Sequence, residues 1–184
     1  MLQGIGQELE TLINAEGRSR NHVAEGVALC AGAVLLSAFL AAKAAPTRKN
    51  PKRYLENELL QHPKIEPPRK SFALVWPPLF LTLTLSGLRI WNAPASKERT
   101  KALGFWGAVQ GLNALWMLWG PRRQSATLAT AAATLGSAVA YMNSARKVDG
   151  PAAAMVSPYL GWISFAGILT EELWRKNRDR PTIH

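Results

Sequence analysis

Charge is nearly absent from five stretches of this sequence and crowded between them. They are Gly26–Ala42, Ser71–Trp91, Ala102–Trp119, Ser125–Asn143 and Pro151–Thr170, each 17 to 21 residues long. Arg89, near the end of the second, is the single charge inside them. A helix needs about 20 apolar residues, and no fewer than about 17, to cross the hydrocarbon core of a bilayer. Amphipathic helices of soluble proteins instead keep a charged outer face at a period of about 3.6 residues. These stretches have none, so the pattern predicts an all-α membrane protein, a bundle of five transmembrane helices. The mean hydropathy of −0.03 conceals this, because the loops hold the charge.

A chain of 184 residues allows one domain. The expected layout is an amphipathic or disordered segment over 1–22, the five-helix domain over 23–177 and a basic tail over 178–184. Leu2, Ile5, Leu9, Leu12 and Ile13 keep helical spacing in the first segment. The longest loop, Lys43–Lys70, contains five prolines and a short helix expected at Arg53–Gln61.

The net charge of +10 does not point to nucleic acid, because the basic residues sit between apolar stretches. They report topology instead. With five spans, 14 of the 22 Lys and Arg fall on the side of the first loop, third loop and C-terminus. Cytosolic loops carry the basic excess, so the C-terminus is expected in the cytosol. The single cysteine, Cys30, excludes an intrachain disulfide and a cysteine metal site. The three histidines lie outside the spans without ligand spacing. No nucleophile elbow, phosphate loop or pair of intramembrane carboxylates appears. Nothing in the residues therefore calls for an enzyme, a metal or a required cofactor.

Polar side chains inside a span turn toward other helices. Gln110 and Asn113 lie on nearly one face of the third span, flanked by Trp106 and Trp116. Gly104, Gly107 and Gly111 recur there at close-packing intervals. Thr127, Thr130, Thr134, Ser137 and Tyr141 form one stripe along the fourth. Each pattern alone reads as contact between helices. Together they fit an aromatic-lined cavity with a few fixed polar groups, the usual form of a small-molecule site. Trp91, Trp119 and Trp174 sit at span ends as interface anchors. Trp76, Trp106, Trp116 and Trp162 lie deeper and are the ligand candidates.

The fifth stretch carries Pro158, Tyr159, Leu160, Trp162, Phe165, Ala166, Leu169, Trp174, Arg175 and Asn177. In that spacing they resemble the PYLAW-x-x-FA-x-x-L-x-x-x-x-WR-x-N pattern of the TspO/MBR family, the tryptophan-rich sensory and translocator proteins. Leu112, Asn113 and Trp116 are similar to its L-N-x-x-W. Pro63, Pro67, Pro68, Phe72, Val75, Trp76 and Trp91 are similar to its KP-x-W-x-PP…F-G-P-V-W segment. The resemblance covers roughly residues 60–177. It implies a five-helix bundle in the lipid bilayer, often a homodimer, with a cavity beneath the first loop. It implies binding of a tetrapyrrole such as porphyrin or haem, or a similar flat apolar molecule, for transport, sensing or scavenging. The cavity lining carried over is Phe72, Ala73, Trp76, Asn113, Trp116, Trp162, Ala166 and Leu169. Trp76 and Trp162 would stack on the macrocycle, Asn113 would hydrogen-bond to it, and first-loop cations would meet its carboxylates. A eukaryotic member would sit in the mitochondrial outer membrane.

The departures are Ile65 for the loop Trp, Leu74 for a Pro, Phe80 for a Tyr and a Gln one residue closer to the Asn. Thr170-Glu171 stands where the Tyr of the sterol motif belongs. These lower the expectation of sterol binding and of light-driven porphyrin breakdown. The alternatives to a binding protein are a light-dependent porphyrin-degrading enzyme and a membrane adaptor without ligand turnover.

Overall fold

The computed structural model describes residues 2–119 and 123–178. Its helical segments there are α1 (Leu2–Leu12), α2 (Arg20–Ala44), α3 (Pro51–Glu58), α4 (Arg69–Asn92), α5 (Lys97–Trp119), α6 (Gln124–Arg146), α7 (Gly150–Met155) and α8 (Ser157–Asn177). No strand occurs among the described residues. Arg122 and the basic tail beyond Arg178 lie outside them.

The five charge-poor stretches fall in α2, α4, α5, α6 and the α7–α8 rod. Three of these are long and apolar enough to cross a membrane: α2, α4 and α7–α8. Helices α5 and α6 are each 23 residues long. Gly, Gln and Asn in α5, and Thr, Ser and Gly in α6, dilute their apolarity.

The helices close into a ring. α2 packs against α4 and α5, α5 against α6, α6 against α7 and α8, and α7 returns to α4. Leu83, Ile90, Val109, Ala138, Tyr141, Val156, Tyr159 and Ile163 fill the middle at no more than 1% exposure, as in a close-packed interior.

Local chemistry sets the helix ends. Asn14 and Gly17 both take positive φ and stop α1 well short of residue 22. α3 begins at Pro51, where a missing N–H costs nothing in the first turn. It ends before Gln61, because that residue is drawn to Asn177 as described below. The break between α7 and α8 falls at Val156, two residues before Pro158. The Pro158 ring excludes a helical bond to the Ala154 carbonyl. α4 continues through Pro77 and Pro78.

Two tryptophans fix close helix crossings. Trp106 of α5 lies over Gly87 of α4, where an added Cβ would come within 2.5 Å of the indole. Its Nε1 donates to the Leu83 carbonyl at 2.9 Å. Trp91 occupies the space beside Gly26 in the same way, stacks on His22 and donates to the His22 carbonyl at 3.0 Å. Trp106 is therefore a packing residue rather than a ligand candidate, and Trp91 is a joint between α2 and α4 rather than a free interface anchor. The α5 glycines differ from the expectation of close packing: no atom lies within 4 Å of a Cβ built at Gly104, Gly107 or Gly111.

The α6 stripe serves packing too. Thr127, Thr130 and Thr134 donate to the carbonyls four residues before them. Tyr141 pairs with Ser86 of α4 at 2.6 Å, and Ser86 donates to the Ala152 carbonyl of α7 at 2.7 Å.

Candidate ligand-binding site

Five of the eight residues expected to line the site fall in three places. The first is an aromatic group between α4 and α8. Phe72 meets Trp162 edge-on, with ring centroids 5.5 Å apart and planes at 70°. The Phe165 ring centroid lies 5.8 Å from that of Trp162, with the planes tilted by 47°. Trp76 stacks on Phe80 at 5.1 Å. Trp76 and Trp162 thus each have phenylalanine neighbours. A flat molecule stacking on Trp162 competes with the Phe72 edge for that ring.

The second place is polar and interior. The Tyr159 hydroxyl donates to Asn113 Oδ1 at 2.7 Å. Tyr159 is fully buried, and Asn113 and Gln110 are each 5% exposed. Three residues separate Gln110 from Asn113, so one face of α5 presents both amides. Four atoms here are buried without a partner: Gln110 Nε2, Gln110 Oε1, Asn113 Nδ2 and Trp162 Nε1. Native interiors rarely leave such groups unsatisfied. Three of them are donors and one, Gln110 Oε1, accepts. Their chemistry matches a carbonyl, carboxylate or ring nitrogen on a guest that is otherwise apolar.

The third place lies one helical turn beyond Asn113, toward the first loop. A cavity of about 180 Å³ is lined there by Ala44, Arg53, Trp116, Thr127, Thr170 and Leu173, among others. Of the eight expected residues, Trp116 alone borders it. Leu169 is buried and Ala166 half-buried on α8. Ala73 differs from the expectation: it is exposed with Leu74, Pro77 and Leu81. Its position a third of a turn from Phe72 carries it to the outer side of α4.

The first loop covers this end of the bundle. Arg53 donates to the carbonyls of Ala44 at 3.0 Å, Met117 at 3.0 Å and Leu118 at 2.8 Å. It thereby caps the C-termini of α2 and α5, where unpaired carbonyls and the helix dipole favour a cation. These bonds hold the guanidinium against the two helix ends, on the wall of the same cavity. Asn177 clasps the loop from α8. Its Oδ1 accepts from Gln61 N at 2.9 Å and its Nδ2 donates to Gln61 O at 3.1 Å. Lys176 adds a bond to the His62 carbonyl at 3.3 Å and an ion pair with Glu172 at 2.8 Å.

Sequence reasoning missed Tyr159 as the partner of Asn113, and Asn177 as the loop clasp. The first had a signal, a tyrosine one turn before Trp162 on the same helix. The second had none, since its partner lies 116 residues away.

The TspO/MBR family model matches residues 27–175. The chain is 33% identical to the translocator protein of Bos taurus over 125 residues, 66% of this chain and 74% of that protein. It is 32% identical to the translocator protein of Ovis aries over the same shares of each. Protein CrtK of Rhodobacter capsulatus is 26% identical over 127 residues, 67% of this chain and 79% of that protein. The family match spans α4, α5 and α6 in full and most of α2 and of the α7–α8 rod, and includes the aromatic group, the Gln110–Asn113 face and the Tyr159 pair. The chain is a multi-pass membrane protein and belongs to the TspO/MBR family.

Proposed function

We propose that this protein binds a tetrapyrrole, or a similarly flat apolar molecule, between α4, α5 and α8, and that it serves to transport, sense or scavenge that molecule. The observation that carries this reading is the set of unpartnered buried atoms on Gln110, Asn113 and Trp162, the last of them in an indole packed by Phe72 and Phe165. Hydrocarbon offers such groups nothing, and leaving one unmade costs roughly 1–3 kcal/mol. A guest with polar atoms on an apolar plane relieves that cost.

All five long rods cross the bilayer in this reading, α5 and α6 included. Their polar atoms turn inward, so low apolarity is no bar. The C-terminus faces the cytosol, following the basic excess. The bare Gly104–Gly107–Gly111 face of α5 is where a second copy would pack. Ligand pockets typically reach about 300–1,000 Å³, more than the 180 Å³ beside Trp116. Binding therefore parts Phe72 from Trp162 or lifts the first loop.

The test is a dark titration of detergent-purified protein with protoporphyrin IX, followed by tryptophan quenching. Saturable quenching is expected, with affinity lowered severalfold in Trp162→Phe and Asn113→Ala. Unchanged affinity in both variants would place the ligand elsewhere. Illuminating the same cuvette tests turnover: a new absorbance band would make the protein an enzyme.

A further inference from the structure

The N-terminal helix lies outside the stretch that matches the family, which begins at residue 27. α1 is held to the bundle by its C-terminal end. Arg89 donates to the carbonyls of Thr11 at 2.7 Å and Leu12 at 2.8 Å. Asn92 donates to the Ile13 carbonyl at 2.8 Å, and Asn14 Nδ2 donates back to the Arg89 carbonyl at 3.4 Å. Ala15 is buried and Ile13 packs against the core. Arg89 is itself fixed by Asp149, through Nε to Oδ1 at 2.8 Å and Nη2 to Oδ2 at 2.9 Å. This clamp grips one end of α1 firmly and leaves its apolar residues uncovered: Leu9 is 54% exposed and Leu12 41%.

We propose that α1 is an interfacial helix, clamped by Arg89 and Asn92 to the edge of the bundle and lying with Leu9 and Leu12 in the headgroup–acyl boundary of the bilayer. Three observations choose the bilayer as the occupant. The clamp sits on the last turn of α4, a helix apolar enough to span, so α1 leaves the bundle at the level where the hydrocarbon ends. Beside it, α2 is joined to the same end of α4 through Trp91 and itself leaves Val27 and Leu29 uncovered, so the end of the bundle that holds α1 is apolar on its outside. And α1 is too short for the alternatives. Eleven residues span about 16 Å, half of what a bilayer crossing needs. One face of so short a helix falls well below the roughly 1,000 Å² of a stable protein interface.

The charge pattern refines the partner. α1 contains Glu8 and Glu10 and no Lys or Arg. Attachment is therefore driven by apolar burial, favours zwitterionic lipid and is insensitive to salt.

The test is nitroxide accessibility in phosphatidylcholine nanodiscs, on full-length protein with Cys30→Ser. Labels are placed at Leu9→Cys and, on the opposite side of the helix, at Gln7→Cys. The ratio of oxygen to nickel-chelate accessibility should be severalfold higher at position 9 than at position 7. It should fall at position 9 when Leu12→Glu is added, and stay unchanged between low and high salt. Equal, water-like ratios at both positions would overturn the proposal. So would protection of position 9 from both reagents, with dipolar broadening between labels marking a second copy as the occupant.

Discussion

Replacing Asp149 tests whether the Arg89 clamp is a buried ion pair or a surface one. The pair is bidentate at 2.8 and 2.9 Å, and the two side chains are 11% and 9% exposed. An exposed pair is worth about 0–1 kcal/mol. Removing one partner of a buried pair costs about 3–5 kcal/mol, because the other charge is stranded. The exposure values place this pair in the second class. Arg89 keeps its bonds to Thr11 and Leu12, so the low end, about 3 kcal/mol, is expected for Asp149→Asn. Asp149 also caps α7, accepting from Ala152 N at 2.7 Å. Asparagine retains that cap and alanine does not, which adds about 1 kcal/mol for Asp149→Ala. In a chain of this size 1 kcal/mol shifts Tm by about 2–4 °C, so falls of about 6–12 °C for Asn and about 8–16 °C for Ala are expected. Thermal unfolding in detergent can be followed with a thiol-reactive dye, since Cys30 is the only cysteine and is 2% exposed. Adding Arg89→Met to Asp149→Asn should recover part of the loss, because no charge is then stranded. A fall of less than about 2 °C in both single variants would refute the buried-pair reasoning. So would a double variant whose loss equals the sum of the single ones.

Four further outcomes are expected. Burial alone would raise the Asp149 carboxyl, but its bond to Arg89, the Ala152 N–H and the Arg89 charge together hold it below the ordinary value. A depressed folded value means its contribution is whole above the unfolded carboxyl range near pH 4 and is lost as pH falls through the lower folded value; a Tm profile of native minus Asp149→Asn should be flat from neutral pH to about 5 and shrink below that. Gly87→Ala should cost about 1–3 kcal/mol by forcing the Trp106 indole off α4, with partial recovery when Trp106→Phe is added, read as Tm. Tyr159→Phe removes the partner of Asn113 Oδ1; single hydrogen bonds within membrane bundles average about 0.6 kcal/mol and reach about 1.7, so a Tm loss of a few degrees is expected. Asn177→Ala should speed amide exchange at Gln61 and raise protease cleavage within residues 59–66 while leaving Tm within about 2 °C, because it releases a surface loop and not the core.

The helical rods were legible because hydrocarbon imposes a length and excludes charge, and both can be counted along a sequence. Which rods are apolar enough to stand alone was harder to see. The α5 and α6 stretches lack charge, as the other three do, yet Gln110, Asn113 and the threonines dilute them. The polar stripes themselves were visible, but their roles needed the third dimension. Thr130, Thr134 and Tyr141 occupy their hydroxyls in bonds within and between helices, whereas the Gln110 amide and Asn113 Nδ2, drawn from an equally plain pattern, are left unsatisfied. The tryptophans show the same limit. Spacing placed Trp106 and Trp162 alike in mid-span, but one rests on a glycine and donates to Leu83, and the other packs on phenylalanines with its indole N–H unpartnered. Long-range clasps such as Asn177 to Gln61 and Arg53 to the ends of α2 and α5 leave no periodic trace at all.

The three carbonyls held by Arg53 have a kinetic consequence. With that guanidinium in place, the first loop is folded over the bundle before any guest arrives. The entropy of ordering it is settled during folding and is not charged to the binding step. If the proposed guest enters beneath the loop, it waits for the arginine to let go, and uptake should level off with rising concentration at the rate of that release. Departure meets the same obstacle. Under the proposed ligand-binding function, a protein built this way would exchange its guest slowly, a behaviour closer to a vault than to a pore.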